Sequence, residues 1–164
     1  MPRVPISVRL RNGLRKATMA VSLAYYRHYW GMDIGEECRI SHKAILDKSN
    51  PGGIHIGRYT GVALNAVILS HDFVRNKHVD TWIGERCHIG ACAIIGPGVR
   101  IGDGCLIAAG SVVLKDVPDN CIVMGNPARV IEQGLKAGKW GVRVDVLPAD
   151  RIDQNVLVSD EGKA

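Results

Sequence analysis

Aliphatic residues return every six positions through the middle of the chain. The clearest series is Ile83, Ile89, Ile95, Ile101, Ile107 and Val113. A small or β-branched residue stands four positions after each member, in the series Cys87, Ala93, Val99, Cys105, Ser111 and Val117. A period of six is neither the two-residue alternation of a half-buried strand nor the 3.6-residue repeat of an amphipathic helix. It indicates a repeat protein whose unit is six residues long.

The same repeat begins further upstream, in two shorter blocks. The first is led by Ile34, Ile40 and Leu46, and the second by Ile56, Val62 and Ile68. Six residues make one short strand and a turn, and three such units, about 18 residues, close a triangular coil. The aliphatic residue then faces inward and stacks on its counterparts in the coils above and below. The repeat predicts an all-β solenoid, a parallel β-helix of about five coils between Ile34 and roughly Val130.

Two interruptions break the repeat. Residues 51–55 predict a small insertion at a corner, and residues 74–82 predict a larger loop that protrudes from the solenoid. Segments of different character flank the repeat, so that three parts are expected: residues 1–30, residues 31–131 and residues 132–164.

The N-terminal part interleaves basic and apolar residues and predicts one or two helices. They either cap the open end of the solenoid or rest on an anionic membrane. The membrane alternative depends on Arg3, Arg9, Arg11, Arg15 and Lys16 beside Leu10, Leu14, Met19 and Val21. The C-terminal part is polar and irregular, with a short helix expected over Gln133–Lys139 and a frayed end.

Composition limits the remaining function classes. The chain is 46% hydrophobic, has a net charge of +5 and contains five cysteines without a CxxC pair. Reduced thiols and the absence of a signal-like or membrane-spanning segment predict a cytoplasmic protein, which could also lie on the inner face of the membrane. A nucleic-acid partner is not expected, because no basic stripe carries exposed aromatics. No ligand cluster has metal-binding spacing, so no metal is expected.

The closing repeats resemble those of a known superfamily. Residues 101–118 (IGDGCLIAAGSVVLKDVP) and residues 125–131 (GNPARVI) are similar to the last coils of hexapeptide-repeat acyltransferases. The resemblance covers residues 31–131 and implies a left-handed parallel β-helix, acetyl-CoA as the acyl donor, and a homotrimer whose sites lie between neighbouring chains.

Within the superfamily, the chain is most similar to sugar and polysaccharide O-acetyltransferases of the galactoside, maltose and colanic-acid types. Those enzymes place a histidine directly before a protruding loop, as the run Ser70-His71-Asp72-Phe73 does here. Serine acetyltransferases share the closing coils, but they carry Asp-His where this chain has Asp47-Lys48.

His71 is the candidate general base. An alcohol is too weakly acidic to attack a thioester unaided, and histidine, with an ordinary pKa of about 6.5, is suited to take its proton. Asp72 could orient the imidazole, although a backbone carbonyl or another acid would serve equally. His78, in the loop, is an alternative base or a contact for the acceptor.

The resemblance also implies contacts to the two substrates. It places the backbone of Ala91 and Ala109 along the pantetheine arm of coenzyme A, and Lys115 and Arg129 at its phosphates. Lys115 could equally be a solvated turn residue. The residues expected at the acceptor are His78, Trp82 in the loop, and Asn65.

Three classes of function stay open. The favoured one is acetyl transfer from acetyl-CoA to a hydroxyl of a sugar, glycan or lipid-linked saccharide, because His71 and the cofactor positions support it. The second is transfer to another small acceptor such as serine, an amino sugar or a drug, with Lys48 arguing against serine. The third is a non-catalytic scaffold or a metal-dependent relative.

Overall fold

The computed structural model describes residues 6–148 together with residues 152 and 157, and it describes no side chains for residues 6–12, 15 and 16. The chain begins with α1 (Ile6–Ala24), which continues into a π-helical turn at Tyr25–Tyr29. Short parallel strands then wind into a three-sided prism, in which each turn of the chain contributes one strand to each side.

Four successive turns each supply three strands. The first has β1 (Asp33–Ile34), β2 (Arg39–Ile40) and β3 (Ile45–Leu46), and the second has β4 (Ile54–Ile56), β5 (Gly61–Val62) and β6 (Val67–Ile68). A hairpin of β7 (His71–Asp72) and β8 (Lys77–His78) follows. The next turns have β9 (Thr81–Ile83), β10 (His88–Ile89), β11 (Ile94–Ile95), β12 (Arg100–Ile101), β13 (Leu106–Ile107) and β14 (Val112–Val113).

The strands stack into three sheets, one for each side of the prism. Sheet 1 has the order β1-β4-β9-β12, and sheet 3 has the order β3-β6-β11-β14. Sheet 2 begins with β2-β5-β10-β13 and continues with two later strands, β15 (Cys121–Gly125) and β16 (Ala128–Gln133). Val117 bridges to Ile101, so that a fifth turn starts and covers two sides of the prism.

The six-residue repeat builds the core. Every member of the two series from Ile83 to Val117 is buried, and Ile89, Ile95 and Ile107 have no exposed surface. Parallel pairing aligns Ile56, Ile83 and Ile101 in consecutive turns. The inward register predicted from the sequence is therefore confirmed.

The two insertions differ in detail from the prediction. At the first, only Pro51–Gly53 leave the repeat, as one 3-10 turn, because Ile54 and His55 already belong to β4. At the second, the prism resumes at Thr81, whose hydroxyl donates to the Leu69 carbonyl at 2.6 Å. Trp82 therefore lies on strand β9, and its expected place in the loop was wrong.

Up to residue 148, the C-terminal part does not continue the solenoid. After the cis Asn126–Pro127 bond, β16 turns back antiparallel to β15. The helix expected over Gln133–Lys139 is absent, because Gln133 ends β16 and Gly134 adopts a left-handed φ of 77°. Leu135 is buried, and the chain then crosses the outer face of sheet 2 through a 3-10 turn at Lys139–Gly141.

The N-terminal helix lies against the first turn of the prism. Leu23, Tyr26 and Trp30 pack on the core, and the Arg27 guanidinium donates to the Ile34 carbonyl at 2.7 Å. These contacts match the capping alternative. The side chains on which the membrane alternative depends, those of Arg3, Arg9, Arg11, Arg15 and Lys16, lie outside the described residues. Within the described part of the chain, no helix is both long and apolar enough to cross a membrane.

Candidate functional site

The hairpin β7–β8 leaves the prism at the corner between sheets 3 and 1. Its strands pair His71 with His78, whose rings meet edge to face with centroids 4.9 Å apart. His71 is half-buried and His78 is exposed, while the ring of Phe73 stands 6.2 Å from that of His71. The two histidines singled out from the sequence therefore lie side by side.

The Asp47 carboxylate, one turn below, holds the chain at His71. Its Oδ2 accepts the backbone N–H groups of Ser70 at 3.1 Å and of His71 at 3.0 Å, and its Oδ1 accepts that of Ser49 at 2.8 Å. Partial burial raises the pKa of Asp47, but the N–H donors outweigh it and hold this pKa below its ordinary value. Asp47 is therefore ionised at neutral pH and fixes the backbone at the start of the hairpin.

Sequence reasoning missed this role of Asp47, although a signal was present. The residues that follow the inward aliphatic on sheet 3 are Asp47, Leu69, Gly96 and Leu114. Only the first of these four carries a charge.

A second anchor holds the root of the hairpin. The buried Ser70 hydroxyl donates to the Asn50 carbonyl at 2.6 Å, and the Asn50 side-chain amide donates back to the Ser70 carbonyl at 3.0 Å. The same amide lies 3.4 Å from the Val79 carbonyl, on the returning side of the hairpin. Both sides of the hairpin are thus tied to the turn below.

Asp72 does not perform the orienting role expected of it. Its carboxylate accepts the backbone N–H of Arg75 at 3.0 Å and pairs with the Arg75 guanidinium at 3.1 Å. The backbone donor is the main cause that lowers the pKa of Asp72. Among the residues that the structure describes, no hydrogen bond joins this carboxylate to the His71 ring, because the side chain is directed to the hairpin turn.

Trp82 lies away from the hairpin, on the outer face of sheet 1. Its ring stacks on that of His55 at 3.7 Å and 5°, and the Arg100 guanidinium lies 5.2 Å from the ring centroid. His55 in turn lies 3.0 Å from the Asp33 carboxylate. Since both faces of the indole are occupied within this column, the expected acceptor contact is not supported.

Three other predicted residues meet at the opposite edge of sheet 3, the corner between sheets 2 and 3. Ala91 and Ala109 occupy this corner in consecutive turns, where the Gly110 N–H donates to the Ala91 carbonyl at 2.8 Å. Asn65 lies at the same corner one turn lower, exposed and with a left-handed φ of 55°. The corner is therefore a continuous edge of accessible backbone.

The two residues predicted at the phosphates are exposed cations on different elements. Lys115 lies at the corner between sheets 3 and 1, on the same corner as His71 and two turns above it. Arg129 lies on β16, where its guanidinium donates to the Ala128 carbonyl at 3.0 Å. One copy of the chain thus places His71 and the Ala91 edge on different corners of the prism.

A groove of about 900 Å³ opens beside the Ala91 edge. It lies between α1, the outer face of sheet 2 and residues 140–142. Ala63 and Leu64 form part of its wall, and the Leu64 carbonyl accepts the Cys92 N–H one turn above, at 3.1 Å. Sequence reasoning missed this groove because its walls come from segments far apart in the chain.

His88 lies in the floor of this groove beneath Gly141. Burial lowers the pKa of His88, and a hydrogen bond with the Trp140 backbone offsets part of that effect. The imidazole is therefore neutral at pH 7. Within the described residues, no group of three or more His, Cys, Asp or Glu side chains could hold a metal ion.

Comparison with known sequences shows the family. The family described as bacterial transferase hexapeptide (six repeats) matches residues 80–115. The candidate acetyltransferase SAS0727 of Staphylococcus aureus strain MSSA476 is 37% identical over 112 residues, which are 67% of this chain and 70% of that protein.

Two further relatives are matched over a smaller share of their length. The candidate acetyltransferase YvoF of Bacillus subtilis strain 168 is 37% identical over 108 residues, 65% of this chain and 63% of that protein. Serine acetyltransferase 2 of Arabidopsis thaliana is 34% identical over 134 residues, 77% of this chain and 40% of that protein. The chain thus spans less than two thirds of either relative.

Solved structures show the same fold. A maltose O-acetyltransferase from Clostridium difficile 630 matches with a TM-score of 0.51 and 28% identity, covering 62% of this chain and 68% of that one. The hexapeptide-repeat acetyltransferase VCA0836 from Vibrio cholerae O1 biovar eltor, complexed with acetyl coenzyme A, matches with a TM-score of 0.52 and 25% identity, covering 70% and 76%. Repeat, prism and relatives agree that the chain belongs to the hexapeptide-repeat acyltransferase superfamily, whose fold is the left-handed parallel β-helix.

Proposed function

We propose that this protein transfers an acetyl group from acetyl-CoA to a hydroxyl of a sugar, glycan or lipid-linked saccharide, with His71 as the general base. The observation that carries the proposal is the anchored position of His71, held by Asp47 and by the Ser70–Asn50 pair at the root of a protruding hairpin. Pre-organisation of this kind is what general base catalysis requires.

The chemistry follows from that position. The acceptor hydroxyl oxygen attacks the thioester carbonyl carbon while its proton passes to the His71 ring. The carbon–sulfur bond then breaks, and coenzyme A leaves as a thiolate that receives the proton from His71. A backbone N–H at the reacting carbonyl would stabilise the oxyanion. His78, 4.9 Å from His71, is the alternative base.

Two features support acetyl-CoA as the donor. The corner at Ala91 and Ala109 offers accessible backbone for the amides of the pantetheine arm, and Lys115 and Arg129 are exposed cations available to its phosphates. The similar Vibrio cholerae acetyltransferase was solved with acetyl coenzyme A. Maltose O-acetyltransferase, a sugar-modifying enzyme by name, is among the similar structures.

A homotrimer is part of the proposal, because one chain separates His71 from the Ala91 edge. The outer face of sheet 3, which lies between those two corners, consists of aliphatic residues in register: Ile45, Val67, Ile94 and Val112. Ile45 is 57% exposed and Ile94 is 36% exposed. A contiguous apolar face of this kind favours contact with another subunit, which would bring the two half-sites together.

Transfer to serine or another small acceptor is the second candidate, since a plant serine acetyltransferase is 34% identical. Lys48 argues against serine as the acceptor, because it stands where those enzymes carry histidine. The Lys48 ammonium lies 5.2 Å from the centroid of the Trp30 ring.

We place the reaction in the cytoplasm. The five cysteines are free thiols, as a reducing compartment favours. A peripheral position on the inner face of the membrane is also proposed, supported by the exposed apolar side chains that the N-terminal helix carries: Leu14, Val21, Tyr25 and Tyr29.

The first experiment combines binding and turnover. Acetyl-CoA is titrated into the purified protein by calorimetry, and thiol release is then followed with sugars, nucleotide sugars and serine. We expect binding, and we expect thiol release with a sugar. Failure of acetyl-CoA to bind would overturn the proposal and favour the scaffold alternative.

The general base is tested with His71→Ala. This variant should lower kcat about a hundredfold or more, whereas the exposed His28→Ala should leave kcat unchanged. Near-normal turnover in His71→Ala together with loss in His78→Ala would move the base to His78.

A further inference from the structure

A phenylalanine ring stands in solvent at the tip of the β7–β8 hairpin. Phe73 is 85% exposed, and its neighbour Val74 is 93% exposed. Burial of a phenyl ring stabilises a folded protein, and this ring contributes almost nothing of that kind. Single exposed apolar residues are common on protein surfaces, but this one lies beside the proposed base, with the Phe73 and His71 ring centroids 6.2 Å apart. Its position therefore points to contact with a ligand.

Hydrogen bonds fix the turn that carries Phe73. The Asp72 carboxylate accepts the Arg75 N–H at 3.0 Å and pairs with the Arg75 guanidinium at 3.1 Å. The Phe73 carbonyl accepts the Asn76 N–H at 3.3 Å, and Asn76 adopts a left-handed φ of 49°. The turn is thus closed by its own contacts, and the root of the hairpin is tied to the prism. The backbone of Phe73 is therefore held at a set distance from His71.

The chemistry around the Phe73 ring is polar and locally neutral. His71 and His78 lie side by side on the paired strands that end in this turn, with ring centroids 4.9 Å apart. Asp72 and Arg75 balance each other's charge in their ion pair. Binding sites for small molecules combine apolar and aromatic surface with a few placed polar groups. An aromatic face beside two imidazoles therefore suits a ligand that has an apolar face and several hydroxyls.

A pyranose ring has this composition. Its hydroxyls leave C–H groups exposed on the faces of the ring, and such a face can pack against an aromatic side chain. Packed rings have centroids about 4.5–7 Å apart, so a sugar on Phe73 would carry its hydroxyls within reach of the His71 ring, 6.2 Å away. The adenine of coenzyme A could also stack on a phenyl ring. The pantetheine arm, however, separates adenine from the thioester, which has to react beside the base.

We infer that Phe73 is the surface on which the acceptor sugar stacks while its hydroxyl meets His71. Phe73 thereby takes the role expected of Trp82, whose ring is occupied by that of His55 at 3.7 Å. The inference rests on the proposed function and specifies the acceptor as a pyranoside with a C–H face near the acetylated hydroxyl. Serine and other open-chain acceptors lack such a face.

Fluorine NMR tests the contact directly. The chain contains one phenylalanine, so 4-fluorophenylalanine incorporated during expression reports on position 73 alone. The spectrum of the assembled protein is recorded with a soluble gadolinium chelate, which broadens the signal of a ring that is open to solvent. The methyl β-glycosides of glucose, galactose and N-acetylglucosamine are then added without acetyl-CoA. We expect a broadened signal that shifts, and becomes protected from the chelate, with at least one glycoside.

Two results of this titration would overturn the inference. A signal that is protected before any glycoside is added would show that another subunit covers the ring. A solvent-exposed signal that none of the three glycosides shifts would show that the ring does not contact a sugar.

Kinetics then separate a sugar-stacking residue from a structural one. Phe73→Ala should raise KM for the glycoside that shifts the signal about tenfold and leave the Kd of acetyl-CoA unchanged. Phe73→Tyr should keep the wild-type KM, whereas Phe73→Leu, which is apolar without an aromatic face, should behave like Phe73→Ala. Val74→Ala, the matched control, removes the neighbouring exposed apolar side chain and should leave KM unchanged. A wild-type KM in Phe73→Ala or in Phe73→Leu would contradict the inference.

The two proposals fail separately. If acetyl-CoA binds and the wild-type protein and Phe73→Ala acetylate a sugar equally well, the inference is wrong and the proposed function stands. If acetyl-CoA does not bind, the proposed function falls, and the fluorine titration still decides whether a sugar lies on Phe73. A glycoside-dependent shift would then support a sugar-binding hairpin, and an unmoved signal would overturn it.

Discussion

At the scale of single residues, the Asp47 carboxylate links the prism to the proposed base. It accepts three backbone N–H groups, two of them from Ser70 and His71. A carboxylate with several N–H donors has a low pKa because the donors stabilise its charged form. The position of His71 therefore depends on an ionised side chain 24 residues away in the sequence.

This arrangement predicts an acid sensitivity. Because the folded-state pKa of Asp47 lies below that of an unfolded Asp, about 3.9, its contribution to stability is complete above that value. The contribution is lost as pH falls through the folded-state pKa. Between pH 5 and pH 3 the free energy of unfolding of the wild-type protein should fall more than that of Asp47→Asn. Denaturant melts check this, with the exposed Asp80→Asn as the control; equal falls in wild type and Asp47→Asn would contradict it.

Cys92 reports on the proposed cofactor edge. It is the one exposed cysteine of the five, and it follows Ala91 at the corner. Iodoacetamide should therefore label Cys92 first, and acetyl-CoA should slow this labelling by covering the corner. Mass spectrometry of the labelled peptides, with Cys92→Ser as the control, measures the rates. If saturating acetyl-CoA leaves the labelling rate of Cys92 unchanged, the pantetheine arm does not lie at the Ala91 corner.

At the scale of elements, the turns of the prism stack so closely that some corners admit no side chain. A Cβ at Gly90 would lie 2.6 Å from the Ala109 nitrogen and 2.6 Å from the Ile107 oxygen, both backbone atoms of the next turn. Neither atom can move without separating β10 from β13. Glycine at this position is thus required by close approach between turns.

Gly90→Ala should accordingly lower the free energy of unfolding by about 1–3 kcal/mol, the usual effect of overpacking. Gly52→Ala is the matched control, since a Cβ there meets nothing within 4 Å. Chemical denaturation of the two variants measures the difference. Equal stabilities would mean that the turns can separate at this corner without loss.

The hairpin shows why element boundaries were harder to predict than the repeat. A break in the six-residue pattern marks an insertion, but it does not say where the chain rejoins the prism. Thr81 decides that point, because its hydroxyl joins Leu69 and Gly98, which lie 12 and 17 residues away. Trp82 lies on sheet 1 because it is the next residue of the strand that Thr81 begins.

At the scale of the whole molecule, the three outer faces of the prism differ in chemistry. Sheet 1 carries the polar and aromatic column of Asp33, His55, Trp82 and Arg100. Sheet 2 is crossed by the C-terminal segment through Trp140 and Gly141. Sheet 3 is aliphatic, and among residues 6–148 nothing covers its exposed Ile45 and Ile94. The difference favours sheet 3 as the contact between subunits.

Ile94→Glu should therefore dissociate the proposed trimer and abolish turnover, because the charge would be buried between subunits. Arg100→Glu, at the equivalent outward position of sheet 1, should leave the assembly intact. Sedimentation equilibrium measures the mass of both variants. A wild-type monomer, or an unchanged mass for Ile94→Glu, would contradict this interface.

The sequence by itself determined the prism and its inward register, because the repeat is local and each aliphatic residue has only one buried position to occupy. It also pointed to His71 and His78, since a polar run at a break in the repeat lies outside the core. Only the tertiary structure decided that Asp47 holds His71, that Asp72 pairs with Arg75, and that Trp82 lies on sheet 1. The groove beside the Ala91 edge is lined by Trp140, whose indole N–H donates to the carbonyl of Glu37, 103 residues away. Contacts of that length follow from how insertions and ends pack on the prism, and the six-residue period carries no information about them.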